Sequence, residues 1–311
     1  MAGGGGFIGS HMVDRFLDRG DEVVVLDSFS TGRHSNLEHR SRHDGCQVVE
    51  SDITERLPEL GQFEAVVNLA SPASPEDFAS MPLEILQAGS VGNRHLLDLA
   101  TDCGARFLLA STSEVYGDSL VHPQSEDYRG NVDPIGPRSC YDEAKRFAEA
   151  TTMAYARRRG LDIRIARIFN TYGERMMPTD GRVVNAFIVQ ALREQPLQVF
   201  GDGTQTRSFC HVSDQVNGLI ALLDGTYSRP VNIGNPEEVT IAGLAELVIS
   251  VVGSSSGLTR VALPEQRAGD PERRCPDISR ARSVLGWEPR IPLSDGVAAM
   301  VAYFRDHEEL G

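Results

Sequence analysis

Short runs rich in β-branched residues alternate with helical patterns through the first half of this 311-residue chain. Such alternation is typical of a parallel sheet whose strands are joined by crossover helices. The predicted strands are Glu22–Asp27, Gln47–Glu50, Ala65–Leu69, Arg106–Ser111 and Asp162–Arg167. The predicted helices between them cover 9–19, 82–103 and 140–159. The sequence therefore predicts an α/β fold with a doubly wound parallel sheet.

The pattern loosens after residue 170 into segments punctuated by glycine and proline. Short helices are predicted there at 183–194, 214–224, 240–253 and 293–306. We expect a smaller C-terminal α+β region that packs on the sheet. The expected division is 1–169 and 170–311, with the chain crossing between the two units.

Gly3, Gly6 and Gly9 have a G-x-x-G-x-x-G spacing that opens the first predicted helix. Glycines allow a tight turn and let the backbone approach a pyrophosphate at the helix N-terminus. Asp27 ends the next strand, where a carboxylate can accept both ribose hydroxyls and would repel a 2′-phosphate. This combination predicts a Rossmann domain that binds NAD rather than NADP. The candidate cofactor-binding residues are Gly3, Gly6, Phe7, Ile8, Gly9, Asp27, Asp52, Ile53, Leu69 and Ala70.

This glycine fingerprint normally follows a strand, but only Met1 and Ala2 precede Gly3. The missing strand is central in the doubly wound order, so its neighbours would lose a hydrogen-bonding partner. We therefore expect a sheet that lacks its first strand. Either the chain is shorter here than related chains or its start is misassigned.

Lys145 is the only lysine in the chain, and it stands four residues after Tyr141, on the same predicted helix face. An ammonium is a compact point charge that can lie under a ribose and lower the pKa of a neighbouring phenol. Thr112 directly follows the predicted strand Arg106–Ser111, which precedes this helix. With NAD, the three residues form a candidate set for alcohol oxidation, in which Tyr141 takes the hydroxyl proton.

Composition and charge restrict the partners. A formal charge of −14 disfavours nucleic acid, which requires a basic surface. There is no run of 18 apolar residues and no signal peptide pattern. The five cysteines are scattered without a C-x-x-C pair, which predicts reduced thiols rather than disulfides or a zinc site. We expect a cytoplasmic protein with no membrane or nucleic-acid partner and no bound metal.

Longer motifs extend over most of the chain. They are ASPASP (Ala70–Pro75), LLASTSEVYGD (Leu108–Asp118), HPQSEDY (His122–Tyr128), NVDPIGPRSCYDEAKR (Asn131–Arg146), RIFNTYG (Arg167–Gly173), DGRVV (Asp180–Val184), GDGTQTRSF (Gly201–Phe209) and DPERRCPD (Asp270–Asp277). Together they resemble the extended short-chain dehydrogenase/reductase family, and within it the UDP-glucuronate decarboxylases. The resemblance covers essentially the whole chain apart from the absent first strand.

The resemblance implies a role for each candidate residue. Thr112, Tyr141 and Lys145 would carry out the redox step, with Tyr141 and Lys145 also contacting NAD. Glu114 and Arg207 would handle protons at carbon 5 and at the carboxylate of the UDP-sugar. The implied substrate-binding residues are Ser113, Asn170, Arg182, Phe200, Arg207 and Arg274. Residues 1–169 would bind NAD, residues 170–311 would bind the nucleotide sugar, and the protein is expected to be a homodimer.

Ser113 helps to choose among related activities. Nucleotide-sugar 4,6-dehydratases usually carry an aspartate there, an acid that helps to expel the 6-hydroxyl, and a decarboxylase needs no such acid. The alternatives are another NAD-dependent nucleotide-sugar enzyme, namely a 4,6-dehydratase or a 4-epimerase, and a catalytically idle NAD-binding module.

Overall fold

The computed structural model describes residues 1–40, 43–262 and 273–307. The strands there are β1 (Val23–Asp27), β2 (Cys46–Glu50), β3 (Ala65–Asn68), β4 (Arg106–Thr112), β5 (Ile163–Ile168), β6 (Thr171–Tyr172), β7 (Leu197–Phe200), β8 (Thr206–Ser208), β9 (Cys210–His211), β10 (Pro230–Ile233), β11 (Glu238–Thr240), β12 (Leu258–Val261) and β13 (Arg273–Arg274). The α-helices there are α1 (Phe7–Arg19), α2 (Pro75–Ser80), α3 (Pro82–Gln87), α4 (Asn93–Cys103), α5 (Ser139–Arg159), α6 (Val183–Leu192), α7 (Val212–Asp224), α8 (Ile241–Val252), α9 (Ser279–Leu285) and α10 (Leu293–Asp306). Residues 270–272 of the motif Asp270–Asp277 lie outside the described residues.

The main sheet is parallel, as the alternation of strand and helix patterns predicts. Its hydrogen-bonded pairs are β1 with β2 on one side and β3, β4, β5 and β10 in that order on the other. Each of the five predicted strands agrees with one of β1 to β5 to within one residue at either end. β1, β3 and β4 are mainly apolar because helices cover both faces of the sheet, whereas β5 carries Arg164 and Arg167 and β2 has no fully buried residue.

Residues Met1–Gly3 fill the position between β1 and β3 that was expected to be empty. On one side, the Leu69 N–H donates to the Ala2 carbonyl at 3.0 Å. On the other, the Leu26 N–H donates to the first residue's carbonyl at 2.8 Å, and the Gly3 N–H donates to the Leu26 carbonyl at 2.9 Å. The expectation that the neighbouring strands lack a partner here is therefore wrong. Ala2 is thereby paired with Leu26 of β1 on one side and with Asn68 of β3 on the other.

Helices cover both faces of the main sheet. On one face α1 and α7 pack together, and Met12, Val25 and Leu219 belong to the same buried core. On the other face α4 and α5 pack together over a core that includes Leu96 and Phe107. The result is a doubly wound fold with a buried core on each face of the sheet.

The second region has its own core, in which Phe187, Leu244 and Phe304 bring α6, α8 and α10 together. Its short strands pair as β7 with β12 and as β11, β8 and β13. Beyond residue 170 the chain also returns to the main sheet, where α7 packs beside α1 and β10 pairs with β5. The functional division into 1–169 and 170–311 stays a prediction. No helix in the described ranges combines the length and apolar character that crossing a bilayer requires.

Candidate active site

A cavity of about 780 Å³ opens where the carboxyl ends of β3, β4 and β5 face the second region. Leu69, Thr112 and Ile168 line it from the sheet, and Phe200 and Arg274 line it from the second region. Ligands of doubly wound folds bind at the carboxyl ends of the strands, in pockets of about 300–1,000 Å³. This cavity is therefore the candidate site.

The glycine-rich turn before α1 forms one wall of the cavity. Gly3, Gly6, Phe7, Ile8 and Gly9 all line it. Gly3 has a φ of +78°, and a Cβ on it would lie 2.7 Å from backbone atoms of the chain after β3. A Cβ on Gly9 would lie 2.0 Å from the Gly3 carbonyl oxygen. No side chain caps α1, so the N–H groups of its first turn remain available to a pyrophosphate.

Asp27 supports the glycine turn from behind instead of forming part of the cavity wall. Its carboxylate accepts from the Gly5 N–H at 2.8 Å and from the Phe29 N–H at 2.9 Å. Burial raises the pKa of Asp27, and these two backbone hydrogen bonds oppose the shift. Among the described residues that follow β1, Thr31 and Arg33 line the cavity directly. Direct contact of Asp27 with a ribose stays a prediction.

Three further predicted cofactor residues also lie outside the cavity wall. Asp52 is exposed, and its carboxylate accepts from the Thr54 N–H at 2.8 Å. Ile53 is buried in the core beneath α4. Ala70 follows Leu69, which does line the cavity, and its own N–H donates to the Asn68 side chain at 3.1 Å. A contact between these three residues and a nucleotide stays a prediction.

The candidate redox residues meet in the cavity, at the end of β4 and on the first turns of α5. The Thr112 hydroxyl is hydrogen-bonded to the Tyr141 phenol. The Lys145 ammonium lies 5.7 Å from the centre of the Tyr141 ring and donates to the Ala110 carbonyl at 2.9 Å. All three side chains are buried and line the cavity. The i, i+4 spacing of the tyrosine and the lysine therefore places both beside the same strand end.

Burial dominates the acid–base properties of this set. It raises the pKa of Tyr141 to about 12, against an opposing effect of the hydrogen bond with Thr112. It lowers the pKa of Lys145 to about 8. The expected lowering of the phenol's pKa is therefore not produced by the protein groups alone. A positive charge supplied by a cofactor would be needed to favour the phenolate.

Glu114 is held between two guanidinium groups in the cavity wall. Arg274 donates from Nη1 at 2.5 Å and from Nη2 at 2.8 Å, one bond to each carboxylate oxygen. Arg138 Nη2 lies 2.9 Å from Oε2. Burial alone would raise the pKa of Glu114, but the charges of Arg274 and Arg138 outweigh it and hold the pKa below its ordinary value. Glu114 is consequently a carboxylate at neutral pH.

The other predicted substrate residues also line the cavity, namely Ser113, Asn170, Arg182, Phe200 and Arg207. Arg182 Nη2 donates to the Ala73 carbonyl at 2.9 Å, and Arg207 Nη1 donates to the Thr206 carbonyl at 2.8 Å. With Arg274, the cavity thus has arginines suited to an anionic nucleotide sugar.

Sequence reasoning missed three arginines of this cavity, namely Arg33, Arg138 and Arg175. Arg138 pairs with Glu114 and lies one helical turn before Tyr141, within a motif that was noted only as a whole. The available signal was a cation placed just before the helix that carries Tyr141 and Lys145. Arg33 lines the cavity near the glycine turn, and its Nη2 donates to the Arg175 carbonyl at 3.3 Å. Arg33 lies in a loop several residues after Asp27, and no motif in the sequence indicated that it would line the cavity.

Comparisons with known proteins agree with this geometry. Residues 1–234 match the NAD dependent epimerase/dehydratase family. The chain is 49% identical over 304 residues to UDP-glucuronic acid decarboxylase 1 of Danio rerio, covering 98% of this chain and 72% of that protein.

Solved structures show the same fold. UDP-glucose 4-epimerase from Thermotoga maritima, with UDP-glucose, superposes with a TM-score of 0.90 at 29% identity, covering 98% of this chain and 97% of that one. UDP-glucuronic acid 4-epimerase from Bacillus cereus, in complex with UDP-glucuronic acid and NAD, superposes with a TM-score of 0.85 at 27% identity, covering 98% of both chains.

Proposed function

The chain belongs to the NAD dependent epimerase/dehydratase family, and we propose that it is a carboxy-lyase that converts UDP-glucuronate to UDP-xylose and carbon dioxide. One observation carries the proposal. The Glu114–Arg274 pair lies in the same cavity as Thr112, Tyr141 and Lys145, so an acid–base group and a redox set face one substrate.

The redox residues would act on the 4-hydroxyl of the sugar. Tyr141 would take its proton and return it in the last step, while Thr112 holds the phenol in place. NAD held at the glycine turn by Gly3, Gly6 and Gly9 would supply the reversible hydride acceptor for carbon 4 and a positive charge that favours the phenolate of Tyr141. Lys145 would keep the local potential positive and hydrogen-bond to the cofactor's ribose.

Oxidation at carbon 4 makes a ketone β to the carboxylate. The electron pair of the bond from carbon 5 to the carboxyl carbon can then flow into the ketone as carbon dioxide leaves. The resulting enolate takes a proton at carbon 5, and Glu114 and Arg207 are the proposed groups that control this proton. Over the whole cycle one proton is consumed, and no net oxidation or reduction occurs.

The residues around the glycine turn fit NAD. Gly3, Gly6, Phe7, Ile8 and Gly9 would hold the pyrophosphate on the first turn of α1, where a side chain at Gly3 or Gly9 has no room. Asp27, Asp52, Ile53, Leu69 and Ala70 are the proposed residues around the ribose and adenine.

The UDP moiety would lie against the second region. Asn170, Arg182, Phe200 and Arg207 line the cavity there, and the arginines suit the diphosphate. Arg274 uses two of its five N–H groups on Glu114, so we propose that any contact with UDP uses the others. Residues 170–311 would thus supply most of the nucleotide-sugar site.

We also infer a homodimer. Phe147 on α5 is 54% exposed, and exposed Leu83, Leu86 and Val91 lie on the neighbouring segment from α3 to α4. An apolar face of this kind is stabilised when a second copy covers it. A cytoplasmic location is proposed because all five cysteines are free thiols.

Incubation of the purified protein with UDP-glucuronate and NAD tests the proposal. We expect carbon dioxide and UDP-xylose in equal amounts, identified by NMR of the sugar nucleotides. A 4-epimerase is the second candidate, because solved epimerases share the fold. It would instead return a sugar that keeps its carboxylate and has the opposite configuration at carbon 4. A dehydratase is disfavoured because position 113 is serine.

A further inference from the structure

A second cavity, of about 410 Å³, lies against the main one. Glu114 and Arg138 line both cavities, so their side chains form the partition between them. The loop segments 117–118 and 131–137 supply most of the remaining wall. Nothing in the redox chemistry requires this second space.

Asp142 lines the second cavity but not the first. The residue is only 6% exposed, and its Oδ1 atom accepts no hydrogen bond from any residue that the structure describes. A buried carboxylate without partners is unfavourable, whereas a protonated carboxyl group is tolerated. Asp142 is therefore a buried acid beside Glu114 whose Oδ1 atom is left without a hydrogen-bond partner among the described residues.

The charges around Asp142 act in both directions. Burial is the main cause that raises its pKa to about 7, and Glu114 and Glu143 raise it further. Arg138 and Arg274 lower it by a smaller amount. Because Glu114 stays ionised between its guanidiniums, a proton shared by the two acids resides on Asp142 near neutral pH. Two further acids also line the second cavity, namely Asp118 and Asp133.

Decarboxylation requires such a proton in every turnover. The bond from carbon 5 to the carboxyl carbon breaks and carbon dioxide leaves. The electron pair of the broken bond finally forms a new bond between carbon 5 and hydrogen. The proton that Tyr141 takes from the 4-hydroxyl is returned to the same oxygen, so it cannot supply carbon 5. The proton must come from solvent, and the main cavity is filled by substrate and cofactor at that moment.

We propose that Asp142 takes a proton from solvent through the second cavity and passes it to Glu114, which delivers it to carbon 5. This inference rests on the proposed decarboxylation. A Glu114 that is briefly protonated is a strong acid, because Arg274 and Arg138 favour its ionised form, and it therefore gives the proton up readily to the enolate. Asp142 acts through Glu114 and is a relay residue that does not contact the substrate.

The test compares wild type with Asp142→Asn and with Glu143→Gln. Glu143 neighbours Asp142 on α5 but its side chain is 41% exposed, so its substitution removes the same charge outside the cavity. We expect Asp142→Asn to slow decarboxylation by about 10- to 100-fold, at or below the lower end of the range for general acid–base groups. Formation of reduced nicotinamide in a single turnover should be unchanged in both variants.

The pH profile separates a relay from a structural role. The wild-type rate should fall as pH rises through the pKa of Asp142, and Asp142→Asn should lack this limb while Glu143→Gln keeps it. In the substrate-free protein, the infrared carboxyl band that disappears in Asp142→Asn should titrate near neutral pH. Asp142→Glu keeps a carboxyl group in the cavity, so it should retain the pH-dependent fall in rate at a displaced pH. This variant tests the relay even if Asp142→Asn does not fold.

Two failures are distinguishable. If wild type releases no carbon dioxide from UDP-glucuronate, the proposed function fails and the relay with it. If wild type is active but Asp142→Asn keeps its rate and its pH limb, or Asp142→Glu leaves the limb where it was, the relay alone is overturned.

Discussion

Replacing Asp142 by asparagine should stabilise the folded protein in neutral and alkaline solution. The pKa of an aspartate has an ordinary value of 3.8, and burial raises that of Asp142 to about 7. As pH rises between these two values, the unfolded chain loses its proton while the folded protein retains it. Stability therefore falls through this window, and the penalty is fully present above the folded pKa. Asparagine has nearly the same shape and cannot ionise, so it escapes the penalty.

The magnitude follows from the pKa difference. A difference of about 3 units corresponds to about 4 kcal/mol at most, since each unit is worth about 1.4 kcal/mol. The protonation of Asp142 is coupled to the charge of Glu114, so part of the pKa difference belongs to the pair and not to Asp142 alone. We therefore expect a gain in the free energy of unfolding of about 2 to 4 kcal/mol above pH 8. Well below pH 3.8 the gain should vanish, because the carboxyl is then protonated in both states.

Urea unfolding of wild type, Asp142→Asn and Glu143→Gln at several pH values between 5 and 8.5 measures this gain. The advantage of Asp142→Asn over wild type should grow as pH rises from 5 to about 7 and then level off. Glu143→Gln should show a small and constant difference because its carboxylate is solvated. A stability difference for Asp142→Asn that is the same at pH 5 and pH 8.5 would refute the assignment of a buried, protonated Asp142.

Four other variants address the redox, acid–base and cofactor sites. Tyr141→Phe should abolish both the reduction of bound nicotinamide and the release of carbon dioxide. Glu114→Gln should still form reduced nicotinamide but lose at least about 100-fold in the rate of decarboxylation. A single-turnover absorbance trace of reduced nicotinamide distinguishes the two variants. Asp27→Asn should weaken NAD binding and reduce the ratio of NAD affinity to NADP affinity, measured by calorimetric titration with both nucleotides. Equal binding of NAD and NADP by wild type would contradict the assignment. Gly9→Ala should abolish NAD binding because its Cβ would lie 2.0 Å from the Gly3 carbonyl oxygen, and retention of NAD would show that the turn rearranges.

The fold was predictable where local patterns decide it. The strands β1 to β5 are short segments rich in apolar residues, and the sequence pattern located them closely. The central strand was misjudged because pairing depends on partners far away in the chain. The backbone of Ala2 reaches both neighbouring strands without any apolar run of its own.

The site was predictable where spacing along the chain brings residues together. Tyr141 and Lys145 share a helix face, so their meeting follows from sequence. The contact between Glu114 and Arg274 joins residues 160 positions apart, and a single sequence contains no signal for it. The sequence also does not show how deeply a side chain is buried. Burial raises the pKa of Tyr141, so the lowered value expected from the neighbouring lysine was wrong for the protein groups alone.

The central claim is that one site oxidises carbon 4, removes the carboxylate and then reduces the same carbon. Turnover of UDP-glucuronate carrying deuterium at carbon 4, in ordinary water, tests it most directly. The account predicts UDP-xylose that retains deuterium at carbon 4, carries a solvent proton at carbon 5 and is formed with an equal amount of carbon dioxide. Loss of the deuterium to solvent, or a product that keeps its carboxylate, would contradict it.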